Sequence, residues 1–205
     1  MRTRRRKEGV RKVRQTYIIF CSWKSEENYF NGFRNLLRDK TNIKIETKFM
    51  NLNAESLVDK VVKMKNNNKW NLDGNDKFYV IIDRDSGNNT EQQIINAFNM
   101  GENNNIKILI SNISIEVRFL MHFMVFSQSW QTVDKYVKKL TKLLGCEYIK
   151  NDTMIYEKLK DKTLTAIKNA KTAEKNIKNV DPNVKLYFYE PYTSVYKLVE
   201  LLIKF

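Results

Sequence analysis

Apolar positions change period several times along this chain, and each change marks an element. Tyr17-Ile18-Ile19-Phe20-Cys21 is a continuous apolar run, the pattern of a strand buried on both faces. Ser22-Trp23-Lys24-Ser25 reads as a loop, with Ser25 the N-cap of a helix whose first turn sets Glu26 and Glu27 against the positive end of its dipole. Tyr29, Phe30, Phe33, Leu36 and Leu37 recur three and four apart, so one face of that helix is core as far as about Asp39. Alternation from Ile43 to Met50 predicts a half-buried strand. Asn53-Ala54-Glu55-Ser56 then opens a helix that runs to about Lys65 along Leu57, Val58, Val61, Val62 and Met64.

A polar stretch from Asn66 to Asp76 leads into Phe78–Ile82, a second fully apolar strand. Ser86 to Asn89 is a loop, Ile94, Ile95, Ala97 and Phe98 mark a helix, and Lys107–Ile110 is a short strand ending in Ser111-Asn112. Ser114 to Phe126 is apolar nearly all round and predicts a buried helix. Thr132–Leu144 and Tyr156 to about Lys178 predict two more helices, Glu190–Ser194 a turn and cap, and Val195–Phe205 a closing helix. Strands alternating with helices predict an α/β fold, a mostly parallel sheet flanked by helices, with additional C-terminal helices. The expected organisation is a basic arm over residues 1–14 and a single domain over 15–205. Its α/β core reaches about residue 125, and a helical extension covers about 130–205.

Composition adds bounds. With 205 residues, 42% hydrophobic and 29% charged, the chain is long enough for one well-buried core. No apolar run approaches the roughly 20 residues of a membrane span, and no signal-peptide core follows the basic start. A cytoplasmic protein with no membrane partner is expected.

Charge changes the picture more. The net charge is +14, from 37 Lys and Arg against 23 Asp and Glu, which favours a polyanion such as nucleic acid as partner; the alternative is a solvated basic surface set by a Lys- and Asn-rich composition. Clustering supports the first reading. Arg2, Arg4, Arg5, Arg6, Lys7, Arg11, Lys12 and Arg14 make an arm of the kind that contacts phosphates without reading sequence.

The candidate chemistry sits where the apolar strand Phe78–Ile82 ends in Asp83-Arg84-Asp85. Residues two apart on a strand face the same side, so Asp83 and Asp85 aim at one point beyond the carboxyl end of the strand, where ligands bind in α/β sheets. Two carboxylates there suit Mg²⁺, or Mn²⁺, with waters and substrate phosphates filling the remaining positions; the competing reading is a turn that merely ends a strand. Ser111 and Asn112 end a strand at the same edge and are candidates to hydrogen-bond substrate, or only to cap the next helix. Glu116 lies on an apolar helix where an unpaired carboxylate is costly; it is a third residue of the metal site, or the partner of Arg118 or another base. His122 is the one histidine, which excludes a histidine-based metal cluster, and it reads better as a hydrogen-bonded core residue than as a catalyst. Cys21 and Cys146 form no zinc pattern and are expected to be buried thiols. Serine-hydrolase elbows, phosphate-binding P-loops and dinucleotide-binding glycine motifs are all missing from the chain.

In order along the chain, four segments carry a resemblance. Cys21-Ser22-Trp23-Lys24-Ser25-Glu26-Glu27-Asn28-Tyr29-Phe30 stands where the RloB family has a segment like C-E-G-E-K-T-E-x-x-Y-F. Ile81-Ile82-Asp83-Arg84-Asp85 matches its strand ending in D-x-D. Ser111 to Phe123 is similar to S-N-x-x-x-E-x-W-x-L-x-H-F. Ala166 to Lys171 and Glu190 to Glu200 approximate its A-x-x-N-A-K and N-P-x-T-x-V-x-K-L-V-E. The chain thus resembles the RloB family, small proteins of bacterial defence loci with a Toprim-like fold. Asp83 and Asp85 are then metal ligands of a Mg²⁺-dependent nuclease that cuts DNA or RNA, Glu26 the acid/base candidate and Lys24 a phosphate contact, with a solvated lysine as the alternative for Lys24. The resemblance also implies an anti-phage effector paired with an ATPase, and leaves room for a homo-oligomer. The chain departs from the pattern at Ser22-Trp23, one residue shorter than the family loop and without its first glutamate. The alternative is a degenerate Toprim-like module that binds nucleic acid or docks a partner.

Overall fold

The structure is a computed structural model that describes residues 15–40, 43–67, 76–84, 89–125 and 129–205. Their order is β1 (Gln15–Cys21), α1 (Lys24–Leu36), β2 (Ile43–Phe49), α2 (Ala54–Asn66), β3 (Lys77–Asp83), α3 (Glu91–Asn103), β4 (Ile106–Asn112), α4 (Ile115–Leu120), α5 (Val133–Leu144), α6 (Ile155–Leu159), α7 (Thr163–Val180), β5 (Tyr192–Thr193) and α8 (Tyr196–Leu202). Five strands form one sheet in the order β2-β1-β3-β4-β5. The first four are parallel, with Cys21 beside Ile81 and Asp83 beside Ser111, and β5 runs antiparallel to β4. A mostly parallel sheet flanked by helices, with helices following it, is the predicted fold class and agrees with a Toprim-like arrangement.

Alternating side chains divide the core in two. Tyr17, Ile19, Cys21, Ile43, Ile45, Ile81 and Leu109 pack under α1 and α4 to α8. Ile18, Phe20, Phe78, Val80, Ile82, Ile106 and Ile110 pack under α2 and α3. Burial on both faces explains why β1 and β3 read as unbroken apolar runs. Tyr29, Phe30, Phe33, Phe20 and Phe78 are fully or almost fully removed from water, each such side chain contributing about 1.5–3 kcal/mol.

Several elements differ from the pattern-based expectation. The helix expected from Ser114 to Phe126 ends at Leu120. There the amides of His122 and Phe123 bond back to Phe119 and Leu120, three residues earlier, and the His122 ring also bonds the Phe119 carbonyl at 3.0 Å, which tightens the last turn and closes the helix. The long helix from Tyr156 is two helices separated by a 3₁₀ turn at Lys160–Lys162, where the Thr163 hydroxyl donates to the Lys160 carbonyl at 2.7 Å. The turn expected at Glu190–Ser194 contains β5. Cys21 is buried as expected, but Cys146 is exposed, because it follows Gly145, which ends α5 at φ +71° and turns the chain out onto the surface.

Two contacts fasten the layers. A Cβ added at Gly32 of α1 would lie 2.0 Å from Cγ of Tyr156 on α6, so those helices meet at a glycine. Glu174 of α7, buried, accepts the hydroxyls of Tyr192 at 3.1 Å and Tyr196 at 2.9 Å and pairs with Lys178 at 2.8 Å, tying β5 and α8 to the long helix. Among the described residues no helix is long and apolar enough to cross a membrane.

Candidate active site

From β1 the chain turns through α1 to β2 on one side; from β3 it turns through α3 to β4 on the other. The tips of β1 and β3 therefore flank the point where the strand order reverses, the usual crevice of an open α/β sheet. At this crevice the Ser22 amide still bonds the Ile81 carbonyl at 3.1 Å. Only Ser22 and Trp23 then separate β1 from α1.

That short loop sets the position of Glu26. The helix begins at Lys24 with Trp23 as its cap residue, so the expected N-cap, Ser25, is already inside the helix. Glu26 becomes the third helical residue, and its carboxylate accepts the Trp23 N–H at 3.1 Å, as capping-box glutamates do. It is fully buried and turned back over the strand tips, 3.5 Å from the Ser22 hydroxyl and in hydrogen-bonding range of Asp83. Burial pushes the Glu26 carboxyl up to about 8, against the opposing pull of the Trp23 amide, the Asp83 hydrogen bond and Ser22. Asp83, at the end of β3, is pushed well above the carboxylate range by burial, then by the charges of Glu26 and Glu116. At neutral pH the pair holds at least one proton, as close buried carboxyls do. The Cys21 thiol just below is raised by burial and by Glu26, Glu27 and Asp83.

Asp83 Oδ1 is buried and has no hydrogen-bond partner among the described residues. The carbonyl of the same residue is satisfied, accepting from the Asn89 amide at 2.8 Å, while the Asn89 oxygen accepts the Ala54 N–H at 2.7 Å. Glu116, on the first turn of α4, is 2% exposed and accepts the Tyr148 hydroxyl at 2.9 Å. Burial and then the Glu116 charge raise the Tyr148 hydroxyl, which keeps it a donor. Arg118 is not the partner of Glu116: it is fully buried and donates to the Tyr29 hydroxyl at 3.3 Å.

Over these groups lies a cleft of about 160 Å³ lined by Trp23, Ser25, Asp83, Ser114, Ile115, Glu116, Lys150 and Asn151. Sequence reasoning missed Tyr148, Lys150 and Asn151. They lie in the connector between α5 and α6, which carries no apolar period and no motif. Asn151, at φ +64°, is pinned to α1: its amide donates to the Ser25 hydroxyl at 3.1 Å, its side-chain oxygen lies 3.2 Å from that hydroxyl, and its carbonyl accepts from Asn28 at 2.6 Å.

Of the residues singled out in the sequence, Glu26, Asp83 and Glu116 come together. Asp85 and the arm residues Arg4, Arg5, Arg6, Lys7, Arg11, Lys12 and Arg14 lie outside the described residues. Lys24 is exposed and paired with Glu27, and is not among the residues that line the cleft. Ser111 and Asn112 turn towards the β5 side, Ser111 sharing a hydrogen bond with Thr193 at 3.1 Å and Asn112 donating to the Tyr189 carbonyl at 2.8 Å. His122 is buried, and burial followed by the Arg118 charge pushes its ring well below the usual histidine value.

As the side chains stand, no three histidine, cysteine, aspartate or glutamate groups among the described residues converge tightly enough to hold a metal ion together. Asp83, whose Oδ1 is bare among the described residues, nevertheless fits Mg²⁺, which takes one or two carboxylates and completes its shell with water and phosphate. A search of curated proteins finds no match. A family model described as RloB-like protein matches residues 17–202, and the chain belongs to the RloB-like family.

Proposed function

We propose that this cleft is a divalent-metal-dependent phosphodiesterase centre acting on nucleic acid. One observation carries the reading: at the switch point of the sheet, Asp83 is buried with one oxygen lacking a partner among the described residues, beside a second buried carboxyl. Such an arrangement is costly on its own and is explained by a ligand that satisfies it.

In this reading Asp83 and Asp85 would hold Mg²⁺ or Mn²⁺, and Glu116, fixed by Tyr148, adds its charge beside Asp83. When bound, the ion supplies charge to polarise a phosphoryl oxygen and to stabilise an in-line displacement. Glu26, whose carboxyl burial pushes up to about 8, would give a proton to the leaving oxygen. The basic arm adds phosphate contacts that do not depend on base sequence. In the setting the family resemblance implies, the chain is the effector of an anti-phage system whose ATPase partner controls when it cuts.

The test is cleavage of mixed-sequence DNA and RNA by the full chain with Mg²⁺ or Mn²⁺, beside Asp83→Ala. Cutting that requires metal and disappears in the folded variant is expected. Equal cutting by a folded Asp83→Ala protein overturns the assignment. Binding without cutting by either protein favours the degenerate nucleic-acid-binding module.

A further inference from the structure

We infer that the connector between α5 and α6 is the substrate wall of the carboxylate cleft, and that Lys150 binds a backbone phosphate of the nucleic-acid strand there; the inference rests on the nuclease reading above.

The cleft has an electrostatic problem. Asp83 and Glu116 line it and Glu26 lies beside Asp83, so its own side chains repel an approaching phosphodiester. Among the residues that line it, Lys150 is the one cation. Its ammonium forms no ion pair among the described residues, so it is not a counter-ion for the buried carboxyls. By contrast Lys24, Lys44, Lys63, Lys158, Lys160, Lys171 and Lys178 are all paired with carboxylates.

Backbone geometry supports the role. Two residues before Lys150, Tyr148 is buried and donates to Glu116. The residue after it, Asn151, is tied to Ser25 and Asn28. Both neighbours are thus fastened to the walls of the cleft, one to α4 and one to α1, and Lys150 is held at its mouth with only its flexible stem free. A compact ammonium in that position suits a point contact with phosphate. Such a contact draws the strand towards Asp83 without reading its bases.

The measurement is the salt dependence of binding, with a short fluorescein-labelled single-stranded oligonucleotide of mixed sequence, in DNA and RNA forms, titrated in EDTA so that no cutting occurs. The full chain is compared with Lys150→Gln, Lys150→Arg and Lys63→Gln. Lys63 lies on α2, under the opposite face of the sheet, and removes the same charge. Lys150→Gln is expected to lower the slope of log affinity against log salt by about one, Lys150→Arg to keep it, and Lys63→Gln to leave it unchanged. The DNA and RNA arms show which backbone the contact prefers. An unchanged slope in Lys150→Gln, or an equal fall in Lys63→Gln, overturns the assignment. If cutting is meanwhile lost in Asp83→Ala, the nuclease reading survives that failure; if the parent chain binds neither strand, both fall.

Discussion

Glu26, on the first turn of α1, lies within hydrogen-bonding range of Asp83 at the tip of β3, and both carboxyls are removed from water. Residues 57 positions apart in sequence thereby form one proton-binding unit. Burial favours the neutral form of each, and the Glu26 charge raises Asp83 further.

This relationship fixes a pH dependence. Both carboxyls are raised in the folded state, so the stability they contribute is fully present below their ordinary values near 4 and is lost as pH rises, through about 8 for Glu26. The melting temperature of the metal-free chain is expected to fall between about pH 5 and about pH 9, and Glu26→Gln, neutral throughout, to flatten that fall. Excess Mg²⁺ or Mn²⁺ should restore stability most at the alkaline end, because the ion binds Asp83 in its deprotonated form. Calorimetry across the pH series checks this, and a melting temperature that rises over the interval contradicts it.

Glu26→Gln also separates proton transfer from binding. Cleavage is expected to fall by about 10² to 10⁴, with oligonucleotide affinity changed little. A variant that cuts at the parental rate would leave Glu26 as only a cap for α1.

Gly32→Ala tests the contact between α1 and α6. Helix propensity alone favours alanine by about 1 kcal/mol, but the new methyl would meet the Tyr156 ring at 2.0 Å. The clash is expected to win and to destabilise the chain by about 1–3 kcal/mol. Denaturant titration decides the sign.

Glu174 has the opposite pH signature to the Glu26–Asp83 pair. Burial raises its carboxyl, but Lys178, Lys197 and Tyr196 together outweigh that and hold it below its ordinary value, so its contribution is present above that value and fades as pH falls through the lowered one. Glu174→Ala is expected to cost about 1–3 kcal/mol at neutral pH, chiefly because the Tyr192 and Tyr196 hydroxyls lose their acceptor. A melting curve equal to the parent's would show that water replaces it fully.

Removing residues 1–14 is expected to weaken oligonucleotide binding and flatten its salt dependence by several phosphate contacts. The same titration in EDTA measures it, and an unchanged slope would move the main contact to the folded part of the chain.

The sheet was legible because fully buried parallel strands leave unbroken apolar runs, as at Tyr17–Cys21 and Phe78–Ile82. Asp83 was legible for the same reason: a carboxylate closing such a run stands out. The position of Glu26 was not, because it depends on the helix starting at Lys24 and not after Ser25, a shift of two residues decided by the length of the loop. Tyr148 and Asn151 act across 32 and 126 residues of sequence, on Glu116 and Ser25, and single polar residues in a connector leave no periodic trace. β5 is two residues long, too short to alternate.

The antiparallel strand β5 has a consequence for the order in which the molecule is built. Residues 15 to 112 supply the four parallel strands, yet β4 acquires its outer neighbour only with Tyr192 and Thr193, some eighty residues later in synthesis. Until the ribosome has delivered them, the nascent chain carries an open strand edge next to a row of apolar side chains, the situation in which strands pair with the wrong partner. The strand that caps the end of β4 is therefore among the last parts of the chain to be made, and a chain released before Thr193 is expected to aggregate more readily than the full chain.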